Sequence, residues 1–165
     1  MKLVLMRIDD RLLHAQVSLG WVGALSPDVI VVADDLVAST PGQAELLGMG
    51  LPENVELIVT KVDEVGDVLK KRGRDKRKYI LLVRNPRGAL QIVKDGLSPE
   101  MINVGGMHFG QGKTKLLPYL FIDECDCEIF EKMAAMNVKL VAQDVPGNPS
   151  YDVVRLLRKG KLEQN

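Results

Sequence analysis

The stretch "KLVLMRIDDRLLHAQV", residues 2–17, contains three kinds of sequence in direct succession. An apolar run at 2–6 predicts a buried strand, and a charged segment at 7–11 follows it. Leu13, Val17 and Trp21 then recur at the spacing of one helix face, which predicts a helix over 12–24. A strand, a charged loop and a helix in this order form the repeating unit of an α/β fold.

The same alternation continues along the chain. Further apolar, β-branched runs predict strands at 29–33, 55–59, 79–83, 101–105, 119–123 and 138–142, and helices are predicted at 61–72, 85–96, 123–137 and 150–159. Because most of these strands lack polar alternation, we expect them to be buried on both faces. The sequence therefore predicts a single α/β domain over residues 1–165. Its open, mainly parallel sheet would have about seven strands, helices on both faces and one antiparallel edge strand, and about the last five residues would form a frayed tail.

Composition excludes several classes of protein. Lys plus Arg and Asp plus Glu are balanced at 22 each, which argues against a bulk attraction to nucleic acid or anionic membrane. The apolar runs are far shorter than a bilayer span, and the first one, broken by Arg7, does not resemble a signal peptide. Cys125 and Cys127 are too close in sequence for a typical structural disulfide, so we expect a reduced, cytoplasmic protein. The basic run at 70–78 is interpreted as a solvated helix end, with contact to lipid headgroups as the alternative.

The first loop is the predicted functional site, because ligands of open parallel sheets bind beyond the carboxyl ends of the strands. Arg7 and Arg11 carry planar donors that suit phosphate oxygens, and His14 stands near a helix start, where backbone N–H groups favour a phosphoryl group. An unperturbed histidine is mostly neutral at pH 7 and can act as a nucleophile. An aspartate on its other nitrogen would fix the tautomer; Asp10 is the first candidate and Asp9 the second. The arginines disfavour a metal site, and a merely solvated helix cap is the alternative interpretation of His14.

Other segments are predicted to lie beside this loop. The glycine-rich stretch "GGMHFGQGKT", 105–114, lacks the spacing of a phosphate-binding P-loop, which argues against nucleotide binding. We interpret it as a loop near the site in which Gly106 and Lys113 could contribute, although Lys113 and His108 also suit an exposed surface. Asp34 and Asp35 follow the second strand and either shape the site or cap the next helix.

Four segments carry a resemblance to a known family, and one of them, "VIVVADDLVA" (29–38), is similar to the family's second strand and the acidic turn after it. "RIDDRLLHAQV" (7–17) resembles the "RIDxRLIHGQV" signature of IIB subunits of the mannose/fructose/sorbose family of the bacterial sugar phosphotransferase system. "LLVRNPRGALQIVKDG" (81–96) resembles the family's strand–"NP"–helix unit, and "INVGGMHFGQGKTKLLPYLFIDECD" (102–126) resembles its "NVGGM" block. The likeness extends over about residues 1–157.

The resemblance implies a function as well as an α/β fold. It implies that His14 accepts a phosphoryl group on Nδ1 from the phosphohistidine of a IIA protein. The group would then pass to a sugar entering through the IIC and IID membrane subunits, which is the activity of a protein-N(π)-phosphohistidine–sugar phosphotransferase. Arg7 and Arg11 match positions near the phosphoryl group, and Asp10 matches the acid that supports the imidazole. The resemblance implies no metal, nucleotide or other cofactor and no nucleic acid, and it leaves open a peripheral position at the inner face of the membrane.

Two features depart from the family pattern. Ala15 follows the histidine where the family commonly has glycine, and the segment "ECDC" (124–127) is unusual. These departures do not remove the nucleophile. They leave an alternative function open, that of a regulatory phospho-acceptor of the phosphotransferase system that does not act in sugar transport.

Overall fold

The computed structural model describes the backbone of residues 1–162 and the side chains of residues 1–159. The strands are β1 (Lys2–Ile8), β2 (Val29–Ala33), β3 (Glu56–Thr60), β4 (Lys78–Val83), β5 (Met101–Val104), β6 (Thr114–Leu117), β7 (Leu120–Ile122), β8 (Lys139–Ala142) and β9 (Tyr151–Asp152). The helices are α1 (Val22–Leu25), α2 (Asp35–Ser39), α3 (Gln43–Gly48), α4 (Val65–Lys71), α5 (Pro86–Lys94), α6 (Glu124–Ala135) and α7 (Val153–Leu162). A π-helical turn, Gln16–Trp21, precedes α1, and a 3-10 turn, Val62–Glu64, precedes α4.

The central sheet has seven strands in the order β3-β2-β4-β1-β5-β8-β9. Its strands pair in parallel except for the edge strand β9, which runs antiparallel to β8. This arrangement confirms the predicted open, mainly parallel sheet with one antiparallel edge strand. It also places β1 in the interior of the sheet, between β4 and β5.

Two of the strand predictions differ from the structure. The run predicted at 119–123 does form a strand, β7, but it pairs with β6 in a separate antiparallel hairpin instead of joining the main sheet. The seventh strand of the main sheet is the two-residue β9, in a segment that was predicted to start the last helix. A strand of two residues leaves no alternation to detect, because its pairing depends on β8 and not on its own side chains.

The sheet separates two apolar layers because successive side chains of a strand point to opposite faces. Leu81 of β4 packs with helices α4 to α7, whereas its neighbours Ile80 and Leu82 pack on the other side. That second layer receives Val17 and Trp21 of the π-helical turn and Val37 of α2. Helices therefore cover both faces, as the continuous apolar strands predict.

The helix ends follow the capping chemistry of the sequence. Asn85 accepts from the Gly88 N–H and caps α5, which begins at Pro86. Asp123 and Asp126 form a capping box at the start of α6. The helix predicted over 12–24 begins later than expected, because Leu12 adopts a left-handed φ of 55° that a continuous helix cannot contain.

Further findings concern the C-terminal end of the chain and its surface. The predicted frayed tail falls mostly on residues 163–165, which lie outside the described residues, whereas the backbone of residues 161 and 162 belongs to α7. In the basic run, Arg72 and Arg77 both form ion pairs with Glu56. Within residues 1–162, no helix has the length and apolar character needed to cross a membrane.

Candidate functional site: a histidine beside a buried Arg–Asp pair

The loop that follows β1 is anchored to both neighbouring strands. The backbone N–H of Asp9 donates to the carbonyl of Val83 at the end of β4, at 2.9 Å. The N–H of Asp10 donates to the carbonyl of Gly106, just beyond β5, at 2.8 Å. Leu12 then reverses the chain, and His14 follows immediately before the π-helical turn. The candidate nucleophile therefore lies at the carboxyl edge of the sheet, as predicted.

The two ring nitrogens of His14 have different surroundings. Nε2 is buried and lies 3.1 Å from Oδ2 of Asp9, although the direction between them is not that of a well-formed hydrogen bond. Nδ1 is not fully buried, and it has no hydrogen-bond partner among the residues that the structure describes. The side chain is 14% exposed. His14 thus presents one ring edge to Asp9 and the edge that carries Nδ1 to solvent.

Asp9 is held by Arg7, and both side chains are completely buried. Nε and Nη2 of Arg7 donate to Oδ2 of Asp9 at 3.2 and 2.8 Å. Nη2 also donates to the carbonyl of Asp144 at 3.0 Å, and Nη1 donates to the carbonyl of Gln143 at 2.9 Å and to Oδ1 of Asn103. An arginine has five N–H donors, and these contacts occupy all of them.

The expectation that Arg7 contacts the phosphoryl group is therefore corrected. A guanidinium that is 0% exposed and has every donor engaged cannot also bind a ligand at the surface. Arg7 instead fixes the carboxylate that faces His14, and so it acts on the imidazole through Asp9.

The assignment of the supporting carboxylate changes as well. Asp10, the first candidate, lies against His108: its Oδ1 is 2.7 Å from Nδ1 of His108, and its Oδ2 accepts from the His108 backbone N–H at 2.7 Å. Asp9, the second candidate, faces His14. Residues two apart in an extended chain point to the same side. Asp9 therefore shares the side of Arg7, where Trp21 and the π-helical turn pack, and Asp10 points away.

The electrostatic environment keeps Asp9 ionised. Burial acts to raise the pKa of the Asp9 carboxyl, but the neighbouring His14 and Arg7 outweigh burial and hold that pKa below its usual value. Burial lowers the pKa of Arg7, and Asp9 opposes this effect. At neutral pH, a negative charge therefore lies beside Nε2 of His14.

Of the two arginines predicted to bind phosphate, Arg11 is the one that lies at the surface. Its side chain is 45% exposed, and its Nε lies 4.0 Å from Oδ1 of Asp9. Its Nη2 donates to Gln16 at 2.8 Å. An exposed guanidinium with spare donors near an imidazole can bind phosphate oxygens in its planar fork.

The other predicted residues divide between the site and its surroundings. Gly106 belongs to the site, because its N–H donates to Oδ2 of Asp9 at 3.2 Å. Asp34 both caps α2 and pairs with Arg84, whereas Asp35 accepts from the N–H of Val62 at 2.9 Å. Lys113 pairs with Asp126 of α6 at 3.0 Å and not with the first loop.

Sequence reasoning missed the roles of Arg84, Asn103 and Gly105. Arg84, at the end of β4, donates to the backbone carbonyl of Asp10 at 2.9 Å. A Cβ at Gly105 would lie 2.1 Å from Cζ of Arg7, so only glycine leaves room for the buried guanidinium. The paired glycines directly after a predicted strand were the available signal for a close approach of this kind.

Among residues 1–162 there is no group of three or more His, Cys, Asp or Glu side chains that could hold a metal ion. Cys125 and Cys127 both lie on α6, and no disulfide joins them.

Comparison with known proteins agrees with this fold. Residues 3–165 match the family described as the PTS system sorbose subfamily IIB component. The N-acetylgalactosamine-specific phosphotransferase enzyme IIB component 2 of Escherichia coli (strain K12) is 35% identical over 155 residues, which is 94% of this chain and 98% of that protein. The PTS system mannose-specific EIIAB component of the same strain is 33% identical over 94% of this chain, which spans 48% of that longer protein. The solved IIBSor domain of the sorbose permease from Klebsiella pneumoniae superposes with a TM-score of 0.89 at 26% identity, covering 96% of this chain and 98% of that domain.

The protein is thus an α/β IIB component of the bacterial sugar phosphotransferase system. Within that system, the chain belongs to the sorbose-type IIB family, whose members take part in phosphoryl transfer to sugars.

The space around Arg7 gives a test of the site's packing. We expect Gly105→Ala to lower the free energy of unfolding by about 1–3 kcal/mol, because the methyl group would overlap the buried guanidinium. Gly66→Ala is the matched control: a Cβ there meets nothing within 4 Å, so stability should stay the same or rise by up to about 1 kcal/mol. Urea unfolding measures both changes. Equal effects of the two substitutions would contradict the proposed contact between Gly105 and Arg7.

The lowered pKa of Asp9 gives a pH dependence with a defined sign. Because folding lowers this pKa, the stabilisation from ionised Asp9 is complete above the unfolded pKa of about 4 and is lost as the pH falls towards the lower folded pKa. Asp9→Asn leaves Arg7 buried without a counter-charge and should cost about 3–5 kcal/mol at pH 7. The difference in unfolding free energy between this variant and the wild type should become smaller below about pH 4.

Urea unfolding of the wild type and of Asp9→Asn from pH 7 to 3 measures this difference in unfolding free energy. Asp67→Asn is the control, since its carboxylate is 77% exposed and makes only a 3.9 Å ion pair with Lys70. If Asp9→Asn lowered the unfolding free energy by the same amount over the whole pH range, the charge of Asp9 would not stabilise the fold.

Proposed function

We propose that this chain accepts a phosphoryl group on Nδ1 of His14 from a phosphorylated IIA protein. It then passes the group to a sugar that enters through the IIC and IID membrane subunits. The observation that carries this proposal is the asymmetry of the His14 ring. Its Nε2 is buried 3.1 Å from Asp9, whereas Nδ1 has no hydrogen-bond partner among the described residues. A nucleophilic imidazole needs one free nitrogen and one supported nitrogen.

In the first step, the Nδ1 lone pair of His14 attacks the phosphorus of the donor's phosphohistidine. A new P–N bond forms at Nδ1, the P–N bond of the donor breaks, and the donor imidazole keeps that electron pair. The His14 ring gains positive charge as it reacts, and the ionised Asp9 beside Nε2 stabilises that charge. Arg7 keeps the carboxylate in place throughout.

In the second step, a sugar hydroxyl attacks the same phosphorus. The P–Nδ1 bond breaks, the electron pair returns to Nδ1 of His14, and the hydroxyl releases its proton to the solvent. Arg11 is exposed and can neutralise the phosphoryl oxygens in both steps without leaving its place beside Gln16. Arg11 is therefore the proposed phosphate-binding residue, and Arg7 and Asp9 are the proposed positioning residues.

Relatives and surface chemistry support the partner assignment. The mannose-specific relative is named an EIIAB component, so in that protein a IIA and a IIB part belong to one chain. Exposed apolar side chains occur on both segments that border the site: Leu19 of the π-helical turn is 79% exposed, and Phe109, next to His108, is 76% exposed. Large exposed apolar side chains around a reactive centre suit the docking of another protein.

The first test is phosphoryl acceptance itself. Incubation with phosphoenolpyruvate, enzyme I, HPr and a IIA protein of this family should label the wild type with a base-stable, acid-labile phosphoryl group. His14→Ala should take up no such label, because His14 carries the accepting nitrogen. Phosphorus NMR of the labelled protein should show attachment at Nδ1. A circular dichroism spectrum and a urea midpoint equal to those of the wild type control for folding; persistent label in the folded variant would refute the assignment.

Arg11 can be tested by changing its geometry and keeping its charge. Arg11→Lys replaces the planar fork by a single ammonium group, so single-turnover transfer from phosphorylated IIA should slow by about tenfold. Arg74→Lys is the matched control, since Arg74 is also exposed but lies between α4 and β4, at the amino-terminal edge of the parallel sheet. Equal rates for the two variants would remove Arg11 from the site.

A further inference from the structure

His108 contacts both carboxylate oxygens of Asp10. Its ring Nδ1 lies 2.7 Å from Oδ1, and its backbone N–H donates to Oδ2 at 2.7 Å. The imidazole is 52% exposed and the Asp10 side chain 34% exposed, so neither group needs this contact to satisfy burial. Burial therefore does not account for the contact between His108 and Asp10.

The pair closes a set of contacts that includes the reactive loop. The Asp10 N–H donates to the Gly106 carbonyl at 2.8 Å, and the Gly106 N–H donates to Oδ2 of Asp9 at 3.2 Å. A Cβ at Gly106 would lie 3.2 Å from Cε1 of His108, so the ring packs directly over this glycine. The carboxylate that faces His14 and the carboxylate that faces His108 are thus held by the same short loop.

The main chain of Asp10 is fixed separately. Nη1 of Arg84 donates to the Asp10 carbonyl at 2.9 Å, and Arg84 is itself paired with Asp34. Loss of the His108 imidazole would therefore remove the contact with Oδ1 of Asp10, whereas the bond from the backbone N–H of residue 108 to Oδ2 and the contacts of the Asp10 backbone would remain. A carboxylate that keeps only this backbone bond can rotate, and because Arg11 is the next residue in the chain, the carboxylate can then pair with that guanidinium and repel an incoming phosphoryl dianion.

We propose that His108 is a positioning residue for phosphoryl acceptance by His14, and that it acts by holding the Asp10 carboxylate away from Arg11 and from the accepting edge of the His14 ring. This inference rests on the proposed function. It assigns a role to the second of the chain's two histidines.

The test uses phosphoramidate, a small phosphoryl donor that needs no docking partner. The phosphorylation rate at residue 14 is followed by mass spectrometry of the separate peptides that contain His14 and His108. His108→Ala should slow labelling of His14 by about tenfold, the effect of losing one hydrogen bond to a charged group. His108→Asn should stay within about twofold of the wild type, because its amide can donate from nearly the position of Nδ1.

A double variant separates this role from a purely structural one. In Asp10→Asn with His108→Ala, the amide cannot repel the phosphoryl group or form an ion pair with Arg11, so the rate should return to within about threefold of the wild type. A structural role for His108 predicts no such recovery. A wild-type rate in His108→Ala, or a double variant as slow as His108→Ala, overturns the proposal.

The two proposals fail in different ways. If His14 of the wild type takes no label from either phosphoramidate or the IIA protein, the proposed function fails. If His14 is labelled normally and His108→Ala is labelled just as fast, only the role of His108 fails.

Discussion

The buried ion pair between Arg7 and Asp9 is the interaction on which the site depends. Its two charges are withdrawn from water completely, and Arg7 also lies 5.5 Å from the centre of the Trp21 ring. A buried ion pair is costly unless every donor and acceptor is satisfied, and apolar residues of similar size often stabilise a core equally well. The five donors of Arg7 are all used, and they join β5 and the segment after β8 to the loop after β1. The pair is therefore better explained by the geometry it imposes on Asp9 than by stability.

Arg7 and Arg11 look equivalent in the sequence, but the buried ion pair gives them different roles. Arg7 belongs to β1 and points into the layer beneath the π-helical turn, where Asn103 and the carbonyls of Gln143 and Asp144 surround it. Arg11 lies beyond the strand, where the chain has left the sheet and its side chain is exposed. The buried cation fixes a carboxylate, and the exposed cation remains free to meet an anion. A charged residue inside a strand and one just after it thus have opposite chemical uses.

The sequence predicted the fold better than the contacts of the site. Apolar runs located the strands of the parallel sheet because burial on both faces leaves a continuous signal, whereas β9 has only two residues and depends on β8. The loop with His14 was found because strand ends are where charge can reach solvent. The sequence analysis ranked Asp10 before Asp9, whereas the structure places Asp9 against His14. Two adjacent aspartates are the same residue and differ only in the side of the chain that they face. That side is set by the alternation from Arg7 and by the reversal at Leu12, which is visible only in three dimensions.

Ala15 departs from the family pattern without changing the contacts of the candidate site. It has φ −51° and ψ −41°, a right-handed helical conformation that alanine favours and that does not require glycine. Its methyl group is exposed, so it adds no atom to the contacts among Arg7, Asp9 and His14. Alanine restricts the backbone at the start of the π-helical turn directly after His14, and its methyl group is exposed to any protein that docks there. The contacts of His14 are therefore compatible with the proposed phosphoryl transfer in the presence of Ala15, and this departure alone gives no reason to prefer the regulatory alternative over the proposed catalytic role.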